Sequence, residues 1–96
     1  MAKNVSDDQA FWFSADSGSV GFVAHDLKEL KEGFRKASMK SIKFHFREDK
    51  NDFEAWLRNI MEEHEIADNF VRIKEDFSKG SLKGVALRKT LVKSLK

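Results

Sequence analysis

The chain has no cysteine. That one absence excludes disulfides, thiolate zinc sites and a cysteine nucleophile together. No run of apolar residues approaches the length of a membrane span, and the opening stretch "MAKNVSDDQAFWF" lacks the apolar segment of a secretory leader. The expectation is a cytoplasmic protein that does not engage a membrane. Internal repeats and low-complexity tracts are missing as well. The stretch "GSVGF" at 18–22 has two glycines but neither the lysine nor the helix start of a phosphate loop. The histidines His25, His45 and His64 show no H-x-x-x-H or H-E-x-x-H spacing, so no metal and no cofactor is expected.

What is present suits one small soluble domain. The chain has 96 residues, 41% of them hydrophobic and 35% charged, including nine Phe and two Trp. That supply of large side chains builds a core without covalent staples. The charge is uneven. Residues 1–77 hold 12 basic and 16 acidic side chains, a net of −4, whereas residues 78–96 hold six basic and none acidic. The basic end also carries an apolar stripe, which favours a helix packed on the acidic body over a free nucleic-acid-binding tail.

Residues 1–9 are polar and expected to fray, leaving 10–96 as the globular domain. "AFWFS" and "VGFVA" are short apolar runs separated by "ADSG", a pattern for a β-hairpin. So small a hairpin must lean on helices. Asp26 is placed to cap a helix whose apolar face is Leu27, Leu30, Phe34 and Ala37. Asn51 or Asp52 starts the clearest helix, with Phe53, Trp56, Leu57, Ile60 and Met61 inward. Ile66, Phe70, Ile73 and Phe77 line a further helix. Ser81 is placed to cap the last, with Leu87, Leu91, Val92 and Leu95 inward. The predicted fold is α+β and predominantly helical, an N-terminal β-hairpin packed on four or five short helices.

Residues 38–47 are ambiguous. Ile42, Phe44 and Phe46 alternate with Lys43, His45 and Arg47 as in a half-buried strand. Read as a helix, the segment leaves Phe44 pointing away from Met39, Ile42 and Phe46, in need of a contact of its own.

The ordered string "S-I-K-F-H-F-R…D-F-E-A-W-L" resembles a small prokaryotic domain family, largely archaeal, of unknown function. The resemblance runs through Ser41, Phe44, His45, Asp52, Phe53, Trp56, Ile66, Ala67, Gly84, Leu87 and Arg88. It implies a mostly helical domain without established catalysis, and so a helix over 38–47. Two features depart from the family pattern. Glu63 and His64 replace a Gly-Asp pair, and "FREDKN" between His45 and Asp52 is longer than in some members.

Three places carry candidate chemistry. In a strand, Phe11 and Phe13 face one way and Trp12 the other. Helices cover one sheet face, so part of Phe11, Trp12 and Phe13 is a candidate surface for a protein partner or a second copy of the chain. His45, Asp52 and Arg88 form a second group. His45 beside Asp52, or Asp49 at i+4, is half of a nucleophilic site, but no serine sits in a nucleophile elbow. The expectation is a core histidine and no catalytic residue. Arg88 falls within the apolar stripe of its helix, so it must meet a carboxylate or a carbonyl; an ion pair with Asp52 or Glu48 is expected, and the alternative is an anion-binding arginine in a pocket beside His45. Third, Lys83, Lys89, Lys93 and Lys96 share an outward face that could contact phosphates, which makes nucleic acid the alternative partner. Asp52 and Glu54, two apart on a helix, diverge and make no catalytic pair. The leading expectation is a non-enzymatic interaction module that works through the aromatic hairpin.

Overall fold

The computed structural model describes residues 4–13, 22–47 and 50–95. A 3₁₀ turn, Asp7–Gln9, leads into strand β1 (Phe11–Phe13), which pairs antiparallel with β2 (Phe22–Ala24). The register sets Phe11 opposite Ala24, Trp12 opposite Val23 and Phe13 opposite Phe22. Side chains alternate across a strand, so Phe11, Phe13 and Ala24 turn inward while Trp12 and Val23 share the outer face. The expected turn at 15–18 lies outside the described residues.

Helix α1 (Leu27–Lys36) begins as its sequence requires: the Asp26 carboxylate accepts the Glu29 amide at 2.8 Å. Its buried face is Leu30, Gly33 and Phe34. Gly33 lets the hairpin approach, since a Cβ there would lie 2.5 Å from Phe13 Cε1 and 3.0 Å from Phe22 Cδ2. The ambiguous segment is helical, α2 (Met39–Phe44), and Ser38 Oγ caps it by accepting the Ser41 amide at 3.1 Å. Ile42 and Phe46 are buried, and Phe44 finds its separate contact under the Arg47 guanidinium, 4.0 Å from the ring centroid.

Helix α3 (Asp52–Asn59) is capped by Asn51, whose Oδ1 accepts the Glu54 amide at 3.0 Å while its Nδ2 donates to the Phe70 carbonyl at 2.9 Å. One side chain thus starts α3 and ties it to helix α4 (His64–Ser78). Phe53 sits at the centre of the core. Its ring lies within 4.8–5.8 Å of Phe11, Phe13, Phe34, His45 and Phe46. Arg58 adds a bridge across the outside of the helix pair, to Glu54 at 2.7 Å and Asp68 at 2.8 Å.

The end of α4 corrects the boundary expected for the last helix. Gly80 has φ +83°, its amide donates to Phe77 O, and Ser81 N donates to Asp76 O, each at 3.0 Å. This is a Schellman closure. Ser81 is engaged in ending α4, so helix α5 starts later, at Gly84–Lys93, with Lys83 at the cap position and no side-chain cap bond. Leu87, Leu91 and Leu95 are buried against the core.

Residues 4–9, expected to fray, are instead strapped down. Val5 is buried and donates its amide to His25 O at 2.9 Å, while Gln9 O accepts the Trp56 indole N–H at 2.8 Å. A buried indole needs an acceptor, and the strap supplies it. The fold is a predominantly helical α+β domain with an N-terminal hairpin packed on five helices among the described residues. None of those helices is long and apolar enough to cross a membrane.

Candidate functional site

The three aromatics of β1 part company. Phe11 and Phe13 are 6% and 1% exposed and belong to the core, so they leave the expected partner surface; Trp12 is 46% exposed. The cause is the strand period together with the depth of the aromatic cluster around Phe53, which takes in both phenylalanines. Trp12 is oriented as well as exposed, because its Nε1–H donates to the Asp7 carbonyl at 3.2 Å. The 3₁₀ turn that places Asp7 is itself anchored, since Asp7 Oδ1 lies 2.6 Å from His25 Nε2.

His25 is a junction that the sequence reading did not single out. Its Nδ1 lies 2.7 Å from Glu29 Oε1 and its backbone amide donates to the same oxygen at 2.8 Å. Both ring nitrogens therefore face carboxylates. Asp7 first, then Glu29, hold the imidazole above its ordinary value and favour the charged form. Asp7 and His25 are 18 residues apart, so no local spacing reveals the pair.

His45 is buried at 5% exposure, its ring packed edge-on to Phe11 at 4.8 Å and Phe53 at 5.2 Å. It clasps the start of α3 twice. His45 Nδ1 lies 2.8 Å from Asp52 Oδ2, and His45 O accepts the Asp52 amide at 3.0 Å. Burial lowers its pKa, and the Asp52 carboxylate only partly opposes that. The neutral ring with its proton on Nδ1 is the form that donates to Asp52. Of the two residues placed to start α3, Asn51 is its cap, which leaves Asp52 to hold the histidine, with Arg47 Nη1 at 3.8 Å. The Ser38 hydroxyl oxygen is occupied as the cap of α2. Asp49 and Glu48 lie outside the described residues.

Among the described residues Arg88 pairs with no acid, Asp52 included; the other expected partner, Glu48, lies outside them. Arg88 Nη1 donates to the carbonyls of Phe34 at 2.6 Å, Arg35 at 3.2 Å and Ala37 at 2.7 Å. These belong to the last turn of α1 and its cap, where helical carbonyls have no partner within the helix. A cation there also faces the negative end of the helix dipole. His45 and Arg88 thus bind different elements, His45 the start of α3 and Arg88 the end of α1. Lys83, Lys89 and Lys93 are exposed, and Lys96 lies outside the described residues. Among the described residues, no group of three or more His, Asp or Glu side chains is arranged to hold a metal.

The class these features define is a small helical α+β domain with a closed aromatic core and an aromatic side chain presented on its hairpin. Residues 2–96 match a family of unknown function, DUF5752, and the chain belongs to that family. No curated protein and no solved structure gives a match.

Proposed function

We propose that this domain is a non-enzymatic interaction module, which binds a protein partner or a second copy of itself through the outer face of its hairpin. The observation that carries the reading is the exposure of Trp12 between two core phenylalanines, with Val23 across from it on the same face. Exposed tryptophans are uncommon outside contact surfaces, and an aromatic already held by a hydrogen bond loses little freedom on binding. A photo-crosslinking side chain placed at position 12, in cells that express the protein, tests this directly. A discrete adduct is expected from position 12 and none from a control at exposed Glu65. Equal or absent crosslinking at the two positions contradicts the reading.

A second reading has its own support. Lys83, Lys89 and Lys93 are exposed on or beside α5, which fits a nucleic-acid-binding accessory protein. It requires a mobility shift with generic DNA or RNA that weakens steeply as salt rises.

A further inference from the structure

A cleft of about 350 Å³ lies between the end of α1 and the outer face of α5, lined by Arg35, Arg88, Lys89, Val92 and Lys93. Four of its five lining residues are cationic and none is acidic. The lining concentrates positive charge, opposed among the described residues at Arg35 alone. Glu32 pairs with Arg35 at 3.2 Å and with Lys36 at 3.7 Å, on the α1 side.

Arg88 gives the cleft a fixed anchor. All three of its hydrogen bonds within the described residues run through Nη1 to the carbonyls that end α1. The guanidinium is held from one side, while Nε and Nη2 make no hydrogen bond among the described residues. Those two nitrogens form the fork that matches two oxygens of an oxyanion. Lys89 and Lys93 stand four apart on α5, on one face. Val92, which falls between Arg88 and Lys89 around the helix, adds apolar surface to the lining.

We propose that this cleft binds the phosphate-monoester group of a small organic ligand. Arg88 grips two phosphate oxygens through Nε and Nη2, and Lys89, Lys93 and Arg35 neutralise the remaining charge. Val92 lies under the organic portion. A dianion matches Arg88, Lys89 and Lys93, which have no acidic partner among the described residues, better than a carboxylate does, because more of their mutual repulsion is relieved. A cleft of this volume suits one small molecule. The site is separate from the Trp12 surface and does not depend on it.

The test is titration of the ¹⁵N-labelled protein at low ionic strength with inorganic phosphate, phenyl phosphate, acetate and an oligonucleotide without terminal phosphates. The expected result is saturable one-to-one binding of phosphate, with amide shifts centred on Arg35 and residues 88–93. Phenyl phosphate binds more tightly and acetate more weakly. Lys89 and Lys93 are exposed, so the variant K89E/K93E keeps its thermal midpoint, and its loss of two surface charge contacts weakens phosphate binding about tenfold or more. Unsaturable shifts spread over all lysines, acetate binding equal to phosphate, or unchanged affinity in K89E/K93E overturns the proposal. So does tight binding of the oligonucleotide with none of phosphate, which supports the nucleic-acid reading instead.

Discussion

At the scale of single residues, the fold depends on a few close fits. Gly33 is one. The hairpin packs on α1 with Phe13 lying where a side chain at 33 would begin. Gly33→Ala should therefore destabilise the protein by about 1–3 kcal/mol, as overpacking does, although alanine is the better helix former. A urea midpoint equal to that of the parent protein contradicts this close approach. Helical spacing marks Leu30 and Phe34 as inward, but a glycine between them carries no apolar signal. Its importance comes from the ring that packs over it. Arg88 shows the same limit from the other side. Its place in the apolar stripe of α5 signals that it needs a partner. That the partner is the end of α1 follows only from tertiary packing, across 51 residues to Ala37.

At the scale of elements, local rules worked where the determinant was local. Asp26 and Asn51 cap their helices with their own side chains, and both starts are readable from residue type and the apolar spacing that follows. Residues 38–47 resist such reading because Phe44, the residue that makes the alternation look like a strand, is satisfied by Arg47 rather than by the core. The beginning of α5 was misplaced because Ser81, a good cap by type, has its amide committed to closing α4. Gly80 is what makes that closure possible, with a positive φ that costs an L-residue about 1–2 kcal/mol. Gly80→Ala should lower stability by about 1 kcal/mol, and Gly80→Asn by less, since asparagine tolerates this conformation. Thermal midpoints of the two variants check the order. Equal midpoints for both and for the parent contradict the closure.

At the scale of the whole molecule, two histidines give stability opposite dependences on pH. His45 has a lowered pKa in the fold, so its contribution is complete above about 6.5, the unfolded value, and is lost as pH falls through the folded value. His25 has a raised pKa, so its contribution is complete below about 6.5 and is lost as pH rises through its folded value. Denaturant midpoints measured across this range should fall on both sides. Replacing His45 with Gln should flatten the acid limb, and replacing His25 with Gln the alkaline one. An unchanged acid limb in His45→Gln contradicts the buried neutral imidazole. The alkaline loss involves the contact that holds Asp7, and so the turn whose carbonyl orients Trp12.

The candidate surface was legible only in part. Alternation in β1 shows that Trp12 opposes Phe11 and Phe13, but it does not show which face the helices cover. That depends on Phe53 and Gly33, which draw the phenylalanines inward. The central claim is that Trp12 is a contact residue and Trp56 a structural one, and the chain's two indole N–H groups report on them separately. The most direct measurement is a ¹H–¹⁵N spectrum of the labelled protein in dilute buffer and inside the cell that makes it. The account predicts that the Trp12 indole resonance shifts or broadens in the cell, whereas that of Trp56, bound to the Gln9 carbonyl, keeps its position and line width. If the two resonances stay unchanged, or change together, the hairpin face is not the surface through which this protein works.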